Sequence, residues 1–395
     1  MTEWIECTLD KLGEIVGGAT PSTKCEDYYG GSIPWITPKD LSSFKGRYIT
    51  SGERNITEKG LASCSAQMMP KDAVLFTSRA PIGYVAIASQ SVCTNQGFKS
   101  IVVNEKADPL FVYYLLKYNK DAIEAMGSGT TFKEVSGKTM RAVKVRIPLD
   151  VSYQKRIAAV LDSLDTKIEN NERINDNLEQ QAQSYFQELF VDNADPEWTT
   201  GTISDLGTVV GGSTPSKAKP EYYTESGIAW ITPKDLSINK SKFASHGEND
   251  ITELGLKNSS AVIMPEGTVL FSSRAPIGYI AIAAGEVTTN QGFKSVVPKP
   301  EIGTPFVYFF LKNTLPVIEG MASGSTFKEV SGSTMKKVPA VIPDAETLAK
   351  FSSFCAPIFA QQRILEEQNQ SLAILRDNLL PKLMSGEIDV SDVQL

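Results

Sequence analysis

The chain has 395 residues, 41% of them hydrophobic and 22% charged, with a formal net charge of −7. That composition fits a globular protein of two or three domains; it excludes a disordered chain and holds no apolar run of about 18 residues that could span a bilayer. Five cysteines with no CxxC pair and a single histidine, His246, exclude a disulfide framework, a repeated His-based triad and a His-rich metal site.

The first residues, MTEWIECTLDKLGEI, lack the basic start and apolar core of a secretory signal, so a reducing, cytoplasmic location is expected. Residues 1–150 are dense in Gly, Pro, Thr and Ser. Short β-prone runs, AVLFTS at 73–78, YVAIA at 84–88 and KSIVV at 99–103, alternate with turn signals. A helix is predicted over 109–125, where Phe111, Tyr114, Leu115, Tyr118 and Ile123 recur at helical spacing behind Pro109. This first segment reads as a compact α+β domain.

Residues 151–198 read differently. Between 152 and 190 there is no Pro and no Gly. A strict 4-3 spacing runs through Leu161, Leu164, Ile168, Asn171 and Leu178, the seam of a coiled-coil helix about 50 Å long.

The pattern then starts again. WITPKDLS at 35–42 returns at 230–237, SRAPIGY at 78–84 returns at 273–279, TNQGFKS at 94–100 returns at 289–295, and TFKEVSG at 131–137 returns at 326–332. Between Trp35–Pro148 and Trp230–Pro343, 64 of 114 gap-free positions are identical. GGATPS at 17–22 and GGSTPS at 211–216 extend the match. Residues 199–343 are therefore a second copy of the first domain, and a repeat this long means two domains rather than a solenoid.

Residues 344–395 supply a second spacer helix and tail. Its seam is read through Phe351, Phe354, Ile358, Gln361, Leu365, Gln368, Leu372, Leu375 and Leu379, with Pro357 and Pro381 expected to start, bend or end turns. Two long, narrow seams predict antiparallel pairing of the helices. Matching their centres sets Asn171 beside Gln368 in a polar layer, Asn175 near Ile364 or Leu365, and Gln361 near Leu178. The expected fold is α+β: two repeated globular domains separated by a pair of long antiparallel coiled-coil helices, with pseudo-two-fold symmetry.

Enzyme signatures are missing. SGKT at 136–139 lacks the earlier glycine of a phosphate-binding loop, Phe132 standing in its place, and the second copy reads SGST. No HExxH, methyltransferase-like or Gly-rich cofactor motif occurs. No cysteine of the first copy recurs in the second, so the cysteines read as small fillers, and His246 as an incidental loop residue. The net charge, which taken whole argues against nucleic acid, divides unevenly: +2 for 1–150, −6 for 151–198, +1 for 199–343 and −4 for 344–395. The acidity belongs to the spacer helices.

SGTTFKEVSGKTM at 128–140, IP at 147–148 and QKRIAAVLDSLDTKI at 154–168 are similar to the end of a target-recognition domain and the start of the central helix in the specificity subunits of type I restriction–modification enzymes. WITPKDL, LFTSRAPIGYVAI and TNQGFKS resemble other recurrent pieces of those domains, and LRDNLLPKLMSGEI at 375–388 the end of their distal helix. The resemblance covers essentially the whole chain. It implies a subunit without catalysis of its own, whose two recognition domains each read one half of a split double-stranded DNA target. It also implies that the helices fix the spacer between the halves and dock two methylation subunits, with restriction subunits as a further partner class and no membrane partner. S-adenosylmethionine, ATP and Mg are then expected in those partners, and no cofactor or metal in this chain. A stand-alone sequence-specific DNA-binding regulator is the alternative reading.

Candidate DNA contacts are residues of the right chemistry in loops that recur in both copies. They are Lys39 and Asp40 with Lys234 and Asp235; Ser78 and Arg79 with Ser273 and Arg274; Asn95 and Gln96 with Asn290 and Gln291; and Thr131 and Lys133 with Thr326 and Lys328. Each has a second reading. Arg79 could instead hold loops together through Asp40 or Glu134, and Asn95 and Gln96 could cap a turn. Trp35 and Phe132 read as core residues rather than stacking platforms. Lys45, Arg47 and Arg54, against Lys240, Lys242 and Asn249 in the more divergent loop, are alternatives for phosphate contact or half-site-specific readout. Matching reading residues under a near two-fold axis predict a near-palindromic split target, with asymmetry arising at 43–55 versus 238–250.

Overall fold

The computed structural model describes residues 3–129, 133–324 and 328–393. The chain divides into two compact units, Met1–Asn170 with Asn369–Leu395, and Asn171–Gln368. The first unit is built on a five-stranded sheet in the order Gly13–Gly17, Lys99–Val103, Val74–Ser78, Ile82–Ala88 and Tyr48–Ile49. The last strand joins parallel and the others pair antiparallel. The second unit repeats that order with Gly207–Gly211, Lys294–Pro298, Val269–Ser273, Ile277–Ala283 and Phe243–Ala244. The mixture of short strands and helices in each copy is the α+β architecture expected from the sequence.

Val74–Ser78 and Val269–Ser273 are buried at every position, because one face meets the helices and the other a second small core. The predicted helix over 109–125 starts as expected, with Pro109 in its first turn and the Asp108 carboxylate accepting the Phe111 N–H at 3.0 Å. It breaks at Asn119 into Pro109–Tyr118 and Lys120–Ala125. The Asn119 side chain donates to the Leu115 carbonyl at 2.8 Å, a local bond of the kind by which asparagine competes with the helical ladder. In the second unit the counterpart is one helix, Thr304–Gly320.

The two long helices are Val151–Gln187 and Ala345–Ser385. Within each unit the segments that meet run antiparallel. In the first unit Asn369 donates to the Ile168 carbonyl at 3.4 Å, and Arg376 reaches Asp165 at 2.7 Å. In the second unit the Asn171 amide lies 3.4 Å from the Gln368 oxygen, the juxtaposition expected from matching seam centres. Asn175 and Gln362 each donate to the other's backbone carbonyl, at 3.4 and 3.2 Å.

The first seam sits as read: Leu161 and Asn171 are buried, and Leu164, Ile168 and Leu178 half-buried. The second needs correction. Leu365 is buried and Leu372 half-buried, but Gln361, Gln368 and Leu375 are exposed. The inward face instead runs through Cys355, Gln362, Asn369, Arg376 and Leu383 at the alternate positions. Apolarity alone favoured Leu375 over Arg376, whereas the fold buries the polar side chains that find partners across the helix pair. The helix also continues through Pro357 and Pro381, which do not end it. Both are exposed, so the carbonyls they leave unpaired can meet water.

Candidate nucleic-acid interface

The WITPKD turn is a helix start. In both copies threonine and aspartate form a capping box around a proline in the first turn. Asp40 accepts from the Thr37 N–H and hydroxyl, both at 2.7 Å, and from the Glu53 N–H at 2.8 Å. Asp235 does the same with Thr232 at 2.7 and 2.6 Å and Glu248 at 2.9 Å. These carboxylates, proposed from sequence as DNA contacts, already hold three donors each. Their work is to pin the end of the 43–55 and 238–250 loops. Lys39 and Lys234 are exposed and face Glu53 at 2.7 Å and Glu248 at 2.5 Å, pairs of a kind worth little in water and readily exchanged for a phosphate.

The SRAP strand end divides its two candidates. Ser78 and Ser273 are wholly buried, and their hydroxyls donate to the Gly97 and Gly292 carbonyls at 3.1 Å. They are removed from any ligand and instead brace the TNQG turn. Arg79 is half-buried and lies 3.4 Å from Glu134; Lys99 approaches the same carboxylate at 3.5 Å. Arg274, Glu329 and Lys294 repeat the cluster at 3.4 and 3.7 Å. Of the two partners weighed for Arg79, Glu134 is the one it meets.

In the TNQG turn the Asn95 and Asn290 side-chain oxygens accept from Gly97 and Gly292 at 2.8 Å, so both cap the turn. Gln96 and Gln291 are exposed and accept from Thr20 and Thr214 of the preceding Gly-Gly loop. That loop can press so close only because Gly18 and Gly212 lack a Cβ, which would meet the Asn95 and Asn290 carbonyls at 2.1 and 1.9 Å. Lys133 and Lys328 are exposed. Thr131, Thr326 and Phe132 lie outside the described residues. Trp35 is buried and donates to the Ala19 carbonyl at 3.0 Å, a core role as read from sequence.

In the second unit these loops converge. Lys234, Asp235, Arg274, Asn290 and Gln291 line one open cleft of about 680 Å³ together with Tyr223 and Trp230. Five of the sequence candidates therefore share one concave wall, with cationic and amide groups at its rim. Sequence reasoning missed Tyr29 and Tyr223, Thr20 and Thr214, and Glu53 and Glu248. All six recur between the copies, and that recurrence was the signal available.

Arg47 and Lys242 were candidates for phosphate contact, and the structure places them elsewhere. Arg47 is 6% exposed. It lies 3.0 Å from Asp162, 3.3 Å from Glu169 and 4.0 Å from Asp165, and donates to the Thr166 hydroxyl at 2.8 Å. Lys242 is 7% exposed and donates at 2.8 Å to both Glu179 and Gln362, with its ammonium 3.5 Å from the Phe359 ring centroid. Burial pushes Lys242 down to about 8 while Glu179 pulls the other way. Burial likewise opposes ionisation of Glu179, but Lys242 and Lys312 outweigh it and hold that carboxyl down to about 2. Each cation clasps its domain's divergent loop to the long helices. A basic side chain in a polar loop carries no local mark of such a distant partner.

Among the described residues no group of three or more His, Cys, Asp or Glu could hold a metal ion, and no helix is long and apolar enough to cross a membrane.

Comparison with known proteins matches this arrangement. Residues 1–180 and 196–375 each fit the family described as type I restriction modification DNA specificity domain. The chain is 31% identical over 432 residues to the type I restriction enzyme MjaIX specificity subunit of Methanocaldococcus jannaschii, covering 99% of this chain and 95% of that protein. It is 24% identical over 372 residues to the type I restriction enzyme HindI specificity subunit of Haemophilus influenzae, covering 73% and 80%. Among solved structures, the type I restriction–modification S subunit from M. genitalium superposes with a TM-score of 0.63 at 18% identity, over 97% of this chain and 96% of that one, a likeness of fold.

Proposed function

This chain belongs to the type I restriction–modification DNA specificity family, and on that premise we propose that each repeated domain reads one half of a split, near-palindromic DNA target. The chain is a specificity subunit without catalysis of its own, and acts with DNA and the other subunits of a restriction–modification complex. Two methylation subunits dock on it, bringing S-adenosylmethionine, and restriction subunits bring ATP and Mg; the assembly works in the cytoplasm. The observation that carries the reading is the repetition of one rim chemistry. Lys39, Arg79, Asn95 and Gln96 in the first copy have Lys234, Arg274, Asn290 and Gln291 at the same structural positions in the second.

Arginine, asparagine and glutamine can read base edges, and lysine holds phosphate. Equal residues on equal frames read the same or nearly the same half-sequence. The slight positive charge of each domain supplies little phosphate affinity, so partner subunits contribute much of it. Mapping methylated adenines in host DNA with and without this chain tests the function, the target and its symmetry together. Two unrelated half-sites would overturn the near-palindrome.

Lys133 and Lys328 are read here as phosphate contacts. In the assembled complex, Lys133→Ala with Lys328→Ala is expected to weaken DNA binding evenly across sequences. The slope of log affinity against log salt should become shallower by about 2, near 0.9 for each lost contact. An unchanged slope would remove these lysines from the interface.

A further inference from the structure

We propose that Arg54 and its counterpart Asn249 are the residues that make the two half-sites differ. The proposal rests on the proposed reading of one half-site by each domain and names where its symmetry breaks.

Both residues leave the loop from an equivalent point. The residue before each is held alike, Glu53 by Asp40 and Lys39, Glu248 by Asp235 and Lys234. The wall opposite is also the same. Tyr29 donates its hydroxyl to the Pro21 carbonyl at 2.7 Å and stands edge-on to Trp35 at 5.9 Å. Tyr223 repeats this with Pro215 at 2.6 Å and Trp230 at 5.6 Å. Asn249 and Tyr223 both line the second cleft. In the first copy the same two positions hold Arg54 and Tyr29, and the Arg54 guanidinium lies 4.1 Å from the Tyr29 ring centroid.

The frame is thus common to both copies, and the side chain it presents is not. A guanidinium stacked on a ring that is itself pinned keeps its orientation, and its edge offers only donors. That edge matches the O6 and N7 acceptors of guanine. The asparagine amide, one acceptor and two donors on a short stem, matches adenine N6 and N7 instead. The second cleft recovers a positive charge at Lys217, aligned with Thr23, but as a lysine. A point charge on a flexible stem serves a phosphate rather than a base. The other rim residues, Lys, Arg, Asn and Gln, are the same in both copies. The two half-sites should therefore agree except at one base pair, where the first half-site takes guanine and the second adenine.

The test maps methylated adenines in a methylation-deficient host that carries the full chain with its methylation subunit. In the wild type, the two halves of the motif are expected to differ at one position. Arg54→Asn should lower the preference for guanine there about 10-fold or more and bring the first half-site to the sequence of the second. Asn249→Arg, an independent variant at an exposed position, should bring the second to the sequence of the first. Identical half-sites in the wild type, or an Arg54→Asn complex that still methylates the unchanged motif, would overturn the proposal. A single substitution that altered both half-sites would instead overturn the assignment of one domain to one half-site, on which the proposed function stands.

Discussion

Asp165→Ala is expected to lower the stability of the first unit by about 3–5 kcal/mol, read as a fall in the urea midpoint. Asp165 is 6% exposed. It takes the Arg376 guanidinium at 2.7 Å and the Tyr114 hydroxyl at 2.8 Å, with Arg47 at 4.0 Å. Removing it leaves two half-buried or buried guanidinium groups short of a counter-charge, and one buried hydroxyl without its acceptor. The cost is the desolvation of groups already taken out of water rather than the lost Coulomb energy alone. Asp165→Ala with Arg376→Ala should cost less than the sum of the two single changes, because the second change removes one of the charges stranded by the first. A single change costing under about 1 kcal/mol would mean that water reaches this layer.

Glu179 gives the second large effect, and a pH dependence with a definite sign. It receives Lys242 at 2.8 Å, Lys312 at 2.5 Å and the Tyr308 hydroxyl at 3.1 Å, with about a quarter of its side chain exposed. Its carboxyl is held at about 2, below the ordinary 4.5. A depressed carboxylate contributes stability that is fully present above about pH 4.5 and is lost as the pH falls towards 2. That gap corresponds to about 3 kcal/mol. Glu179→Gln should remove this contribution at neutral pH and flatten the acid limb between pH 4.5 and 2 in a urea-midpoint series. Lys242, more deeply buried than its partner, recovers less from the pair than Glu179 gains from two lysines. An unchanged acid limb in the variant would place the acid sensitivity in other carboxylates.

Both effects fall on partners of residues whose role changed between sequence and structure. Arg47 and Lys242 stand in polar, divergent loops, where basic residues reasonably suggest phosphate. Their partners, Asp162, Asp165, Glu169 and Glu179, all lie far along the chain on Val151–Gln187, a helix that reads as an acidic spacer. The loop thereby ties Glu53 or Glu248 to the first long helix. Asp40 and Ser78 shifted in the same direction, from contact to support. The capping box that claims Asp40 was legible in TPKD, because its geometry is local. The burial of Ser78 was not, since a serine ending a strand looks alike on either face.

The duplication, the two α+β domains, the two long helices and the meeting of Asn171 with Gln368 were legible in residue order alone. Each of these depends on periodicity or on short-range pairing, and both are written in residue order. Which polar residues of the second long helix face inward emerges from the fold. Gln362, Asn369 and Arg376 replaced Gln361, Gln368 and Leu375 on the buried face of the second helix. A polar side chain is buried where its partner waits, and for Arg376 that partner, Asp165, is 211 residues away. Hydrophobic spacing carries no information about such a pairing until the chain has brought the two groups together.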